Sequence, residues 1–129
     1  MILLDTNIII WVLRAKPEVV RMVDKLSHTD KTALSVITIA EVYQNVLPHE
    51  LDRTEEYFDS NEILDVNRHI AKAAGLYWNQ YQKKFQTLGT TDCLIAATAK
   101  YYNCPIVTLN TRHFPMPDIK VLNPLKLIT

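Results

Sequence analysis

The sequence predicts an α/β fold in which a short, mainly parallel central sheet lies between helices, a three-layer α/β/α sandwich. Short apolar segments, each suited to one buried strand, alternate along the chain with longer segments whose apolar residues recur at helical spacing. Strands separated by helices pair in parallel, and the helices then cover both faces of the sheet. No low-complexity segment divides the chain and it contains only two glycines, so we expect one domain over residues 1–129.

The predicted strands are short, and the first has the pattern of a strand buried on both faces of a parallel sheet. The first is the best defined, because Asp5 follows it directly and interrupts the apolar run. We expect strands at residues 2–4, 32–34, 62–66, 105–109 and 120–122.

Helices are predicted between these strands from apolar spacing and from end signals. Pro17 fits the first turn of one helix, Pro48 ends another, and Asn67 is placed to cap the longest. Either Ser35 or Thr38 is expected to cap the helix after the second strand. The first helix is expected to begin near residue 6 or 7. The next is expected at residues 17–26, and the third from the cap at 35 or 38 to residue 47. The remaining helices are expected at residues 51–60, 68–81 and 92–102.

Composition and charge exclude several classes of protein. Hydrophobic residues make up 48% of the chain and charged residues 22%, as in an ordinary soluble globular domain. No apolar run approaches the length of a membrane span, and two cysteines form no metal-binding or disulfide framework, so we expect a cytoplasmic protein with reduced thiols and no membrane partner. Fourteen basic residues balance fourteen acidic ones, which does not exclude a nucleic-acid partner because bound metals can supply positive charge.

Three acidic residues are expected at the same edge of the sheet. Asp5 ends the first strand, Glu41 lies early in the helix after the second strand, and Asp92 begins the helix that leads to the fourth. Active sites of such sheets lie beyond the carboxyl ends of the strands. Three carboxylates cannot share a dry cleft unless they are protonated or bridged by cations. Oxygen ligands without nearby His or Cys suit Mg²⁺ or Mn²⁺, ions used at sites that cleave phosphate esters.

Each acid also has a purely structural interpretation. Asp5 could accept N–H groups at the start of the next helix, and Glu41 could complete a capping box begun by Thr38. Asp92 could simply favour a helix N-terminus capped by a threonine at position 90 or 91. The three interpretations are independent of one another, whereas a shared cation accounts for all three residues together.

Four segments, in order, resemble the motifs of the PIN-domain family. They are DTN at residues 5–7, SVITIAE at 35–41, TDCLIAATA at 91–99, and PIVTLN at 105–110 followed by His113 and Phe114. The resemblance covers essentially the whole chain, and the length is that of the VapC-type toxins of toxin–antitoxin pairs.

The resemblance implies a PIN-like α/β fold and a metal-dependent endoribonuclease. It implies that Asp5, Glu41 and Asp92 hold Mg²⁺ or Mn²⁺. It also implies that Thr6 and Asn7 set the angle of the Asp5 carboxylate, and that the Thr108 hydroxyl supports the acidic cluster. It further implies a homodimer and a small VapB-type antitoxin that occupies the site.

The sequence departs from the family pattern at the far edge of the cluster. Many relatives carry a fourth acid there, and this chain has Asn110 and His113 instead. We expect Asn110 to take the catalytic place of that acid through its amide oxygen, and His113 to contact phosphate or carry a proton. One firmly bound metal is therefore expected, with a second recruited only with substrate.

The expected reaction is hydrolysis of an RNA phosphodiester bond by a metal-activated water. Arg112, beside the expected site, is the best candidate for a substrate phosphate contact, followed by Lys83 and Lys84. Other classes remain open. These are an RNA-processing PIN-like nuclease outside a toxin–antitoxin system, an inactive PIN-like binding module, and a receiver or phosphatase domain, although Asn7 stands where an aspartyl-phosphate phosphatase would need a second Asp.

Overall fold

A parallel five-stranded sheet forms the centre of the part of the chain that the computed structural model describes, residues 1–127. The strand order is β3-β2-β1-β4-β5, and every neighbouring pair is parallel. This confirms the predicted α/β fold. The strands are β1 (Ile2–Leu4), β2 (Thr32–Ser35), β3 (Glu62–Leu64), β4 (Ile106–Val107) and β5 (Val121–Leu122).

Helices connect the strands, as the alternating pattern predicts. Residues Pro48–Glu50, Thr111–His113 and Pro124–Leu127 add short 3₁₀ turns. The α-helices are α1 (Thr6–Leu13), α2 (Pro17–Ser27), α3 (Val36–Tyr43), α4 (Leu51–Asp59), α5 (Arg68–Tyr81) and α6 (Thr90–Tyr102). None of the helices described is long and apolar enough to cross a membrane.

Two hydrophobic clusters lie on opposite faces of the sheet. Successive strand side chains point to opposite faces, so Leu3 packs against one cluster while Ile2 and Leu4 pack against the other. Buried residues of α5 and α6 complete the first cluster, and those of α1 and α2 complete the second. The result is the predicted three-layer sandwich.

The register of the sheet determines which residues meet at its carboxyl edge. Leu4 pairs with Val107 across β1 and β4, so the residues that follow the two strands, Asp5 and Thr108, lie side by side. The Asp5 N–H donates to the Val107 carbonyl at 2.9 Å, which extends the ladder to the end of the strand.

Of the two caps predicted for the third helix, Ser35 is confirmed, whereas several other predicted element ends are wrong. The third helix begins after Ser35, whose side chain accepts the Ile37 N–H, so the capping box that starts at Thr38 does not form. The same helix ends at Tyr43 and not at residue 47, because Leu47 precedes a proline and is extended. Strand β4 covers only two of the predicted residues 105–109.

The last helix also begins differently from the prediction. Gly89 holds the cap position with an extended backbone, so the helix starts at Thr90 and neither threonine caps it. Asp92 is then the third helical residue, and its carboxylate accepts the Gly89 N–H. Asn67 caps α5 as predicted, since its side chain accepts the Ile70 N–H at 2.9 Å.

Candidate functional site

Asp5 is a buried carboxylate at the junction of β1 and α1. It is 5% exposed and occupies the N-cap of α1 in an extended conformation. Its Oδ1 accepts the Thr6 N–H at 2.8 Å, and its Oδ2 accepts the Thr108 hydroxyl at 2.8 Å. Two neutral donors therefore hold both oxygens in place, as the N-capping interpretation of Asp5 expects, but no cation neutralises them.

The charge of Asp5 is poorly compensated. Among the ion pairs formed within residues 1–127, none involves Asp5 or Glu41. The pKa of Asp5 is raised to about 6: burial is the largest cause and the nearby charges of Asp92 and Glu41 add to it, while the bonds from Thr108 and Thr6 oppose the shift. The three acids are therefore close enough to interact, and the fold leaves a deficit of positive charge between them.

Glu41 is tied to the same junction through two threonines. The Thr6 hydroxyl donates to Glu41 Oε1 at 2.6 Å and lies 3.0 Å from the Thr38 hydroxyl. A hydroxyl carries one proton, so when Thr6 gives its proton to the carboxylate, Thr38 supplies the proton of the second contact. Thr38 is fully buried and thus anchors this chain of hydrogen bonds below the site.

Asp92 reaches the cluster from the first turn of α6. Its Oδ2 accepts the Gly89 N–H at 3.3 Å, and its Oδ1 lies 3.9 Å from His113 Nδ1. Burial raises the pKa of Asp92, while the Gly89 N–H and His113 act in the opposite direction. This carboxylate is less enclosed than Asp5, since 19% of its side chain is exposed.

Asn110 and His113 form a pair at the far edge of the acidic cluster. The Asn110 Nδ2 lies 2.9 Å from His113 Nε2, and the Asn110 N–H donates to the Thr108 hydroxyl at 3.1 Å. With the amide donating to Nε2, the ring proton of neutral His113 is on Nδ1, the atom that faces Asp92. Asn110 thus links the residue that holds Asp5 to the residue that contacts Asp92.

Asn7 acts through Thr108 and not on Asp5 itself. Its Nδ2 lies 3.4 Å from the Thr108 hydroxyl, and its Oδ1 accepts the Leu109 N–H at 3.4 Å. Arg112 is exposed in the 3₁₀ turn that also carries His113. The structure therefore brings together all the acids and supporting residues that the sequence analysis selected, and places Arg112 next to them.

Two participants were not selected as site residues from the sequence. Thr38 was considered only as a helix cap, and Gly89 was considered only as part of a connecting segment. Both act on a carboxylate, Thr38 through Thr6 and Gly89 through its N–H. Position 38 carries no local signal for this role, because its partner lies 32 residues away.

The donor set of the cluster suits a hard divalent cation. Residues 1–127 hold no group of three or more His, Cys, Asp or Glu side chains already arranged around one metal position. The cluster nevertheless offers three carboxylates and an amide oxygen, which are the ligands of Mg²⁺ and Mn²⁺. The negative charge of the buried Asp5 carboxylate is not compensated by an ion pair within residues 1–127, and a divalent cation would supply that compensation.

Comparison with known proteins places this chain in one family. The model of the PIN domain matches residues 2–119. The chain is 31% identical over 120 residues to the Mycobacterium tuberculosis protein "Ribonuclease VapC19", covering 92% of this chain and 96% of that protein. It is also 31% identical to "Toxin FitB" of Neisseria gonorrhoeae, covering 96% and 98% of the two chains.

A solved structure is similar over nearly the whole chain. The DNA-bound VapBC complex of Salmonella typhimurium superposes with a TM-score of 0.81 at 29% identity, covering 95% of this chain and 97% of the other. The chain belongs to the PIN-domain family, as the resemblance of its four motifs predicts.

Proposed function

We propose that this chain is a metal-dependent endoribonuclease, the toxin of a toxin–antitoxin pair, built as a single nuclease domain over residues 1–129. The observation that carries the proposal is the buried Asp5 carboxylate, which lacks a cationic partner and lies within electrostatic reach of Glu41 and Asp92. Membership of the PIN-domain family and 31% identity to a ribonuclease support the same activity.

In this proposal Asp5, Glu41 and Asp92 hold Mg²⁺ or Mn²⁺. The ion, when bound, supplies positive charge to the phosphate oxygens and lowers the pKa of water at the site. Asp5 already has its final direction, because donors on both sides hold its oxygens.

The other residues of the cluster position these ligands and the substrate. Thr108 fixes Asp5, and Thr6 keeps Glu41 at the site between binding events. His113, 38% exposed in its side chain, borders solvent and contacts an RNA phosphate when protonated. Asn110 holds the imidazole ring at Nε2, where its Nδ2 donates to the neutral ring and, after rotation of the amide, its Oδ1 accepts from the protonated ring, so it is a positioning residue in this scheme.

Cleavage of RNA tests the proposal directly. Purified protein is incubated with total RNA and with structured RNA in the presence of Mg²⁺, Mn²⁺ or a chelator. We expect discrete cleavage products with either metal and none with chelator, and loss of cleavage in Asp5→Asn and Asp92→Asn. Asp52→Asn is the matched control, because it removes an exposed carboxylate of α4. Identical RNA patterns for wild type and both site variants in every condition would overturn the proposal.

The proposed partners are RNA, a VapB-type antitoxin and a second copy of the chain, in the cytoplasm. The similarity to FitB and to the VapBC complex supports a toxin with a bound antitoxin. We expect a short neighbouring reading frame that encodes a DNA-binding protein. We expect that protein to co-purify with this chain as a complex. Recovery of the chain without such a protein, together with RNA cleavage that does not slow growth, would favour an RNA-processing nuclease outside a toxin–antitoxin system.

A second candidate is an inactive PIN-like binding module. The hydrogen-bonded pair of Asn110 and His113 favours it, because that pair stands where many relatives have a fourth acid. The RNA experiment separates the two candidates, since a binding module retains RNA without cleaving it under any metal condition.

A further inference from the structure

A recess lies beside the acidic cluster and is lined by two segments that are distant in sequence. Its volume is about 590 Å³. One wall is the turn after α5, and the other is the segment around the 3₁₀ turn that carries His113. The lining residues are Lys84, Phe85, Gln86, Thr87, Arg112 and Pro115.

Both walls of the recess lie close in sequence to a residue that contacts Asp92. On one side, Thr87 lies two residues before Gly89, whose N–H donates to Asp92 Oδ2. On the other, Arg112 directly precedes His113, whose Nδ1 is 3.9 Å from Asp92 Oδ1. When the scissile phosphate of an RNA chain lies at the acidic cluster, this recess is therefore beside the neighbouring nucleotide.

The polar groups of the recess are free to bind a ligand. Within the described part of the chain, the side chains of Lys84, Gln86, Thr87 and Arg112 make no hydrogen bond and no ion pair. Some other lysines and arginines are paired with an acid, as Lys31 is with Glu62 at 3.1 Å. Two unpaired positive charges beside an acidic cluster suit the phosphates that flank the cleaved bond.

Phe85 is held in place at the floor of the turn. Its N–H donates to the Tyr81 carbonyl at 3.0 Å, and its ring lies 6.5 Å from the Tyr81 ring. The ring is half-buried, and Lys84 Nζ lies 6.0 Å from its centre. A fixed aromatic ring with a neighbouring cation is the arrangement on which a nucleobase stacks while its phosphate is bound.

We propose that this recess binds the nucleotide next to the scissile phosphate of a single-stranded RNA segment, with Lys84 and Arg112 contacting phosphates and Phe85 stacking on the base. This subsite rests on the proposed ribonuclease function and gives a net-neutral protein a local means of holding RNA. Lys83 is exposed but does not line the recess, so it has no part in the subsite.

Salt-dependent binding without cleavage tests the subsite. Binding of a short fluorescent oligouridylate is measured by anisotropy in chelator over a range of salt concentrations, for the wild type, Lys84→Ala, Arg112→Ala and Lys83→Ala. We expect the slope of log K against log salt to fall by about 0.7 for each phosphate contact removed, hence in Lys84→Ala and Arg112→Ala. Lys83→Ala, with the same loss of charge one residue away, keeps the wild-type slope.

The aromatic contact is tested with Phe85→Leu and Phe85→Tyr, because leucine keeps the apolar volume without the ring. We expect Phe85→Leu to weaken oligouridylate binding roughly 5-fold or more with an unchanged slope, and Phe85→Tyr to bind as the wild type. An oligomer of the same length without bases should bind wild type and Phe85→Leu equally.

Two results would overturn the subsite: equal slopes for Lys84→Ala and Lys83→Ala, or equal oligouridylate affinity for Phe85→Leu and wild type. Neither depends on cleavage. A protein that binds RNA in this manner but cleaves none with Mg²⁺ or Mn²⁺ contradicts the nuclease proposal and leaves the subsite standing.

Discussion

The Thr108 hydroxyl donates a 2.8 Å hydrogen bond to Asp5 Oδ2, joining two residues that lie 103 positions apart. Parallel pairing of β1 and β4 produces this contact, since both residues directly follow the paired Leu4 and Val107. Thr108 also accepts the Asn110 N–H, so one buried hydroxyl organises both the central acid and the far edge of the cluster.

Thr108→Val removes the hydroxyl and keeps the shape of the side chain. The Asn110 N–H loses its acceptor and Asp5 loses a donor, so we expect the free energy of unfolding to fall by about 1–3 kcal/mol. The pKa of Asp5 rises further, because the lost bond lowers it in the wild type. Denaturant unfolding measures the loss of stability, and the rate of RNA cleavage measures the loss of activity. Thr108→Ser is the control, and it should retain most of the activity; equal loss in the two variants would contradict the role of the hydroxyl.

Asp5→Asn is expected to stabilise the metal-free protein at neutral pH. The pKa of Asp5 is about 6 in the folded chain against 3.8 in the reference state, so stability attributable to this group is greatest at low pH and is lost as pH rises through that window. At about 1.4 kcal/mol per pKa unit, the cost of ionised Asp5 approaches about 3 kcal/mol above the window. The asparagine variant avoids that cost.

The measurement is denaturant unfolding in chelator, below and above this pH window. The two proteins should have similar stability on the acidic side, with the variant more stable on the neutral side. A difference between them that does not change with pH would argue against the raised pKa. Asp52→Asn, at an exposed position, should follow the wild type.

A divalent cation should cancel most of that difference in stability. Mg²⁺ or Mn²⁺ binds the folded wild type, and saturation at about 100 times the dissociation constant adds about 2.7 kcal/mol. The melting temperature of the wild type therefore rises with metal concentration, while those of Asp5→Asn and Asp92→Asn rise little. If Asp52→Asn lost the metal response to the same extent, the ion would not be bound at the acidic cluster.

Thr6→Val should show how much the position of Glu41 matters, because the variant removes a hydrogen bond to Glu41 without changing its charge. The variant loses the 2.6 Å hydrogen bond to Glu41 Oε1 and leaves the Thr38 hydroxyl without that partner. We expect weaker metal binding and slower cleavage, at a stability cost of about 1 kcal/mol. Metal titration by melting temperature and cleavage kinetics test this, with Thr6→Ser as the control that restores both. Failure of serine to restore them would assign the effect to the methyl group.

A double-mutant cycle separates two roles for Asn110. The structure has its amide on His113 Nε2, whereas the sequence analysis expected a catalytic amide oxygen in place of an acid. If Asn110 acts by holding the imidazole, Asn110→Ala should add little to the loss of cleavage caused by His113→Ala. Independent, additive losses in cleavage rate would instead favour direct action of the amide oxygen on the metal.

Much of the fold could be predicted because its signals are local. The alternation of apolar strands with helical spacing is present in consecutive residues, and so are Pro17 at a helix start and Asn67 at a cap. The errors lie at element ends, where the backbone of one or two residues decides. Gly89 took the cap expected at a threonine, because its backbone is extended at that position.

The sequence by itself determined which residue types are available at the carboxyl edge: three carboxylates, an amide, an imidazole and an arginine. Only the tertiary structure decided their partners. The bonds from Thr108 to Asp5 and from Thr6 to Glu41, and the meeting of Lys84 with Arg112 in one recess, depend on strand register and helix packing. A hydrogen bond is made within about 3 Å, and periodicity along the chain cannot specify that distance between residues many positions apart.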